Sequence, residues 1–261
     1  MEHSSRYIVL FAAGICLVCS ILVSGSAVSL KPRQDRNKAL DVQTKVLVLA
    51  GVLGEDEDAE PDRVEQLFAN RIEAQVVELA TGAYVTDIDP AEFDMQKAMK
   101  DADTSREAPS NRAKVRRLPD NAVVYKVVDE SGQTEALILP IEGMGLWGTL
   151  WGFLSLAPDA NTIQGITYYK HKETPGLGAE VENPRWRALW PGRKAFGDDG
   201  SVQIRVKKGA AGPPETDPFQ VDGLSGATLT SRGVTNMLAF WLSEDAFGPY
   251  LKQFRAEQGG S

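Results

Sequence analysis

No charged side chain interrupts residues 7–30, the run YIVLFAAGICLVCSILVSGSAVSL between Arg6 and Lys31. At about 1.5 Å rise per residue it makes a helix of about 36 Å, enough to cross a hydrocarbon layer of about 30 Å. A cleaved signal peptide is the competing reading, with Gly25-Ser26-Ala27 as the cleavage site. The apolar stretch exceeds the usual h-region of about 7–15 residues, so it is read as a retained anchor. Cys16 and Cys19 lie inside it, neither after the Leu-small-small pattern of a lipid-anchored cysteine, and both serve as small apolar residues. The flanks conflict with an external body. Arg6 alone precedes the run, while Lys31, Arg33, Arg36, Lys38 and Lys45 follow it, a bias that places the body in the cytoplasm. Long domains, however, cross largely regardless of charge.

Beyond residue 30 the chain has one histidine, His171, and no cysteine. That excludes disulfide staples, Cys-rich zinc or iron–sulfur sites, a Cys nucleophile and multi-His metal sites. Redox or group-transfer chemistry is left to a bound organic cofactor, to hydroxyls or to carboxylates. Glu2 offsets Arg6, so the formal charge of −8 belongs to the remainder, and an acidic body argues against a nucleic-acid partner. The basic cluster Arg106, Arg112, Lys114, Arg116 and Arg117, among Pro109 and Pro119 and without aromatic interleaving, reads as a solvated linker.

Hydrophobic spacing predicts helices over 36–53 and 62–80, the second with Val64, Leu67, Phe68, Ile72, Val76 and Leu79 on one stripe. The acidic run Glu55-Asp56-Glu57-Asp58 before it reads as a solvated turn. A third helix is expected with Pro90 at its first position, and 103–119 as an irregular, mobile connection. Residues 123–128 and 135–141 flank a hairpin turn; further strands are expected at 147–156, 161–169 and 201–207. A short helix follows around 184–190, and from Ser231 Val234, Met237, Leu238, Trp241 and Leu242 make an amphipathic helix. The expected fold is α+β: one N-terminal transmembrane helix, then a mainly antiparallel sheet flanked by helices. The expected divisions are a tail at 1–6, the span at 7–30, a helical region and linker at 31–119, and a ligand-binding domain at 120–261.

Three motifs carry chemistry. Gly143-Met144-Gly145-Leu146-Trp147-Gly148 fits G-x-G-x-x-G, but aromatic, strand-like residues follow where a dinucleotide site needs a helix. It reads as a tight turn against a flat ligand, or as core packing. In His171-Lys172-Glu173-Thr174-Pro175-Gly176-Leu177-Gly178, Pro175-Gly176 suits the centre of a type II turn that brings backbone N–H groups near a ligand; a plain surface turn fits equally. Lone His171 reads as structural. In Asp222-Gly223-Leu224-Ser225-Gly226-Ala227-Thr228-Leu229-Thr230-Ser231, small residues open an approach to Thr228 just before a helix, where N–H groups and the dipole favour a phosphate. Helix capping accounts for Thr230 and Ser231, and for neither Asp222 nor Ser225-Gly226-Ala227.

Asp222 to Thr228 resembles the Asp-x-x-Ser-Gly-Ala-Thr motif read by periplasmic flavin transferase, which joins FMN through its phosphate to the last threonine. Glu173-Thr174-Pro175-Gly176-Leu177-Gly178 and Pro140-Ile141-Glu142-Gly143-Met144-Gly145-Leu146-Trp147-Gly148-Thr149 resemble two further signatures of the same FMN-binding domain. With the span and the Asn37-Lys38-Ala39-Leu40 run after it, nearly the whole chain resembles the NqrC family of the sodium-translocating NADH:quinone reductase. The RnfG protein of the related Rnf electron-transport complex shares the domain but is generally shorter than the 55–119 region would require.

The resemblance implies FMN attached to Thr228, with Ser225, Gly226 and Ala227 giving transferase access and phosphate contact, and Asp222 read by the transferase. Thr174, Leu177, Trp147 and Thr149 are the expected ring contacts. It further implies a subunit of a translocase that relays electrons among other subunits of a membrane redox complex, with no NADH site of its own. Because the transferase works outside the cytoplasm, the body is expected in the periplasm, held to the inner membrane, against the charge count. The remaining alternative is an anchored extracytoplasmic scaffold or ligand-binding module with Thr228 unmodified.

Overall fold

The computed structural model describes residues 4–55 and 57–259; His3, the start of the expected tail and Asp56 of the acidic run lie outside them. The described chain divides into two units, Met1–Gln43 and Thr44–Ser261. The helix α1 (Ser5–Leu49) runs unbroken through the apolar stretch and the segment expected as a separate helix from 36. Nothing in 31–40 supplies a helix stop except Pro32, which removes the donor for the Val28 carbonyl. Among the described residues α1 is the one helix long and apolar enough to cross a membrane, and its most apolar stretch is wholly unburied. Its last turns belong to the second unit, where Val46 and Leu47 are fully buried.

The second unit is built on a six-stranded antiparallel sheet ordered β2-β1-β5-β6-β7-β8. Its strands are β1 (Ile72–Glu78), β2 (Tyr84–Val85), β5 (Asn121–Val128), β6 (Thr134–Met144), β7 (Thr149–Leu156) and β8 (Ile163–Lys170). β5 and β6 form the expected hairpin, with Asp129 Oδ1 accepting from the Ser131 and Gln133 N–H groups in the turn. One sheet face, with Val77, Val124, Leu137, Leu139, Ile141 and Leu154, is core with α5 (Thr228–Trp241) and α6 (Gly248–Gly259). α5 lies close against β6: a Cβ on Gly143 would stand 2.8 Å from Met237 Cβ, and Trp241 Nε1 donates to the Glu142 carbonyl at 2.6 Å. The other face carries the ring row Tyr125, Phe153 and Tyr169, which Phe68 of α2 (Pro61–Arg71) meets edge-on at 6.1 Å from Tyr125.

Several sequence expectations give way. The helix expected over 62–80 ends at Arg71, because Ile72 turns extended (φ −121°, ψ 117°) and 72–78 pair residue for residue with β5. Ile72 and Val76 are buried on one face of this inner strand and Val77 on the other, and the Ile72, Val76 and Leu79 spacing satisfies a helical count as well. Pro90 sits in a turn, and the short helix α3 (Met95–Ala98) starts later, capped by Asp94, which accepts from Lys97 N at 3.0 Å. The connection at 103–119 contains β3 (Ser105–Glu107) and β4 (Arg117–Pro119), paired antiparallel. The strand expected at 201–207 shortens to β9 (Arg205–Val206), which pairs in parallel with β10 (Gln220–Val221). A 3-10 turn (Gly178–Glu182) and α4 (Pro184–Arg187) supply the short helix after β8.

Candidate functional site

The three motifs meet at one carboxylate. Glu173 is buried; its Oε1 accepts from the Trp147 backbone N at 2.9 Å and its Oε2 from Thr230 Oγ1 at 2.5 Å. One side chain thus links the 145–148 turn, the 173–178 loop and the first turn of α5. The junction leaves no room for a Cβ: one on Gly178 would lie 2.4 Å from Glu173 Oε2 and 2.7 Å from Thr230 Oγ1, and one on Gly145 would lie 2.6 Å from Glu173 Oε1. Glu173 carries no local pattern and reads as surface charge beside a turn. Only its place in the second signature marks it.

The glycines at 143–148 make a turn, as expected. Gly145 N donates to the Gly148 carbonyl at 2.8 Å, and a strand, β7, follows directly. Thr149, the first residue of β7, pairs with Met144 and is half-buried at the base of that turn. The Pro175-Gly176 loop is also a turn: Leu177 N donates to the Thr174 carbonyl at 3.1 Å, with Gly176 at φ +75°. Thr174 and Leu177 are exposed, and Leu177 Cδ2 lies 2.8 Å from where a Cβ on Gly226 would be. His171 is structural: Nδ1 accepts from Glu173 N at 3.1 Å, and Nε2 lies 3.3 Å from Glu182 Oε1.

Four hydroxyls lie between 225 and 231, and their surroundings differ. Thr230, wholly buried, donates to Glu173, and Ser231 Oγ accepts from Leu224 N at 3.1 Å. Neither caps the helix, contrary to the sequence expectation, because α5 begins at Thr228, and its N-cap Ala227 has no side-chain acceptor to offer. Ser225, Gly226 and Thr228 are exposed, and Gly226 takes φ +71°. Asp222 stands behind the loop. Its Oδ1 accepts from Ala211 N at 2.8 Å, and its carbonyl from Trp186 Nε1 at 2.8 Å.

Beyond α1, the exposed large apolar side chains among the described residues are Leu146, Trp147, Leu177 and Leu229, with Trp147 65% exposed. All four belong to the loops that Glu173 joins or adjoin Thr228. An apolar rim around an uncapped helix N-terminus suits a flat ring carrying a phosphate.

Comparison with known proteins matches residues 145–243 to the FMN-binding domain family. The NqrC protein of Yersinia pestis, a subunit of its Na(+)-translocating NADH-quinone reductase, is 46% identical over 92% of this chain and 90% of its own. The protein of the same name from Pseudomonas aeruginosa is 43% identical over 97% of each. The chain belongs to the NqrC family of the Na(+)-translocating NADH-quinone reductase. Two solved structures agree with this NqrC assignment. The crystal structure of Shewanella oneidensis NqrC is 33% identical, with a TM-score of 0.78 over 86% of this chain and 99% of that one. The corresponding protein from Parabacteroides distasonis is 28% identical, with a TM-score of 0.65 over 85% and 96%. The matched FMN-binding segment contains Trp147, Thr149, Thr174, Leu177, Asp222, Ser225, Gly226, Ala227 and Thr228.

Proposed function

We propose that the chain is a membrane-anchored subunit of the sodium-pumping NADH:ubiquinone oxidoreductase, carrying FMN joined through its phosphate to Thr228. The observation that carries the attachment point is the sorting of hydroxyls. Thr230 and Ser231 are buried and engaged, while Thr228 is exposed on the first residue of a fourteen-residue helix. A phosphate there sits where the free N–H groups and the dipole stabilise an anion. The residues present fit the group. Gly226 and Ala227 place no bulk before the hydroxyl, Ser225 stands exposed beside it, and the 147 and 177 loops supply an apolar rim.

In this reading Thr228 Oγ1 would lose its proton and displace the leaving group from the phosphorus of the transferase's flavin donor, so that the chain gains FMN less water. The first turn of α5 with Ser225, Gly226 and Ala227 would hold the phosphate. Trp147 and Leu177 would cover ring surface and exclude water, and Thr149 and Thr174 would offer hydroxyls to it. Asp222 would hold the loop in the form that a flavin transferase reads, since its carboxylate accepts from the Ala211 N–H. Bound flavin supplies one-electron transfer between redox centres. The G-x-G-x-x-G run is a turn into a strand and gives no helix N-terminus there for a dinucleotide phosphate. The protein relays electrons among its neighbours, with α1 in the inner membrane and the body in the periplasm.

Mass spectrometry of the full chain co-expressed with flavin transferase tests the attachment. The expected gain is one FMN less one water, present in the native chain and lost in Thr228→Ala. An unmodified native mass beside a working transferase refutes it. Protease added to spheroplasts is expected to digest the body; a protected body refutes the periplasmic placement.

A further inference from the structure

The cationic segment expected to be a solvated linker is a built element beside the Thr228 site. Arg106 pairs with Asp120 at 3.3 Å, and Arg117 donates to Ser105 Oγ at 2.8 Å and to the Ser105 carbonyl. Arg112, Lys114 and Arg116 differ. They alternate with Ala113 and Val115, which are core residues, so all three are exposed. None has a side-chain hydrogen bond or ion pair among the described residues. Asn111 fixes the segment: its Nδ2 donates to the Pro109 and Val115 carbonyls at 2.8 Å each, and its Oδ1 accepts from Val115 N at 3.0 Å. Lys114 is held at φ +59°, a conformation that persists in a non-glycine residue only when its surroundings impose it.

Lys114 and Arg116 line a cleft of about 440 Å³ with Ser110, Asn111 and Met144, and no acidic residue is among its described lining. Met144 also begins the turn that carries Trp147, and its N donates to the Ala113 carbonyl at 2.9 Å. Along α5, Thr228, Arg232 and Asn236 recur every four residues on one face, and Asn236 Nδ2 donates to the Arg112 carbonyl at 3.2 Å. At about 1.5 Å per residue, Thr228 and Asn236 are about 12 Å apart along the axis. The cations therefore continue the apolar rim of the flavin loops, by way of exposed Arg232.

We propose that Arg112, Lys114 and Arg116, assisted by Arg232, are the docking surface for an acidic face of the redox partner that exchanges electrons at Thr228. The proposal rests on the flavin reading above. Uncompensated positive charge on a chain of net −8 orients an acidic partner, while the apolar rim supplies the close contact. Such steering weakens with salt, because charges beyond a Debye length of about 8–10 Å are screened at physiological strength.

The test is the assembled complex with the full-length chain carrying R112E/K114E/R116E, with Arg232 unchanged. Mass first reports flavin content: loss of attachment in the native chain breaks the underlying reading, whereas native attachment isolates the docking question. In flavin-loaded variant, NADH-driven reduction of the Thr228 flavin, followed by stopped-flow absorbance, is expected to slow about tenfold at low ionic strength and to lose its salt dependence. Lys114→Arg is expected to behave as native. Should the triple variant fail to fold, Arg116→Glu alone is expected to show a reduced salt slope. Native rates and native salt dependence in the charge-reversed chain overturn the proposal.

Discussion

Glu173→Ala should unfasten the site without removing any side chain proposed to contact the flavin. Removing the carboxylate orphans two donors of unequal cost. Thr230 Oγ1 is wholly buried and loses its carboxylate acceptor, a penalty of about 1–3 kcal/mol, while the Trp147 N–H lies near the surface and rehydrates for about 1 kcal/mol. The expected loss is about 3 kcal/mol, or about 6–12 °C in Tm for a unit of this size, read by thermal unfolding of the full chain in detergent. Glu173→Gln keeps the shape, accepting from Trp147 N and donating to Thr230 Oγ1, and should cost about 1–2 kcal/mol through lost charge assistance. Thr230→Val removes the other end of the short bond. In E173A/T230V the costs should sum to less than the separate values by about 1–2 kcal/mol, because the shared bond is counted once. Strict additivity within about 0.5 kcal/mol would falsify the idea that Glu173 couples the loops through Thr230.

Two glycines of the same loop should separate by mechanism. Gly178→Ala pushes a methyl group into Glu173 and Thr230 and should lower Tm and flavin attachment together, whereas Gly176→Ala meets open space and should cost about 1 kcal/mol of backbone strain, with attachment unchanged. Burial holds the Glu142 carboxyl up to about 7. The native state then keeps a proton that the unfolded chain has released, so stability falls as pH rises from about 4.5 to about 7 and is flat above. Glu142→Gln should abolish this slope and gain on the native chain by up to about 3 kcal/mol between pH 5 and pH 8; parallel Tm curves for the two proteins would show the carboxyl to be ordinary. Asn111→Ala should free Lys114 from its left-handed backbone and expose the 109–116 amides to hydrogen exchange, while β5 and β6 remain protected.

Local chemistry is legible from sequence wherever one or two residues decide it. The Asp129 hairpin, the Pro175-Gly176 turn and the failed dinucleotide motif all follow from residue identity. What escapes depends on distant partners. Ile72 and Val76 fit a helical stripe until β5 is known to lie alongside, and the 103–119 segment reads as loop until Ser105 is seen opposite Pro119. Thr230 and Ser231 look like caps because their true partners, Glu173 and Leu224, are fifty-seven and seven residues away. Thr228 is marked by motif, and its exposed place on the first turn of α5 gives that motif a physical reason.

The single hydroxyl at the head of α5 also bears on how loosely a cofactor can be held. A ring tethered through one short flexible arm is present at its loops at an effective concentration of about millimolar. Four side chains at a rim, weak as a free-standing pocket, are then sufficient to seat it. Because little of the ring need be engulfed, its edge can stay open to whatever approaches. Under the proposed attachment tight binding would give way to permanence, the bond at Thr228 keeping the cofactor while its reactive edge stays open.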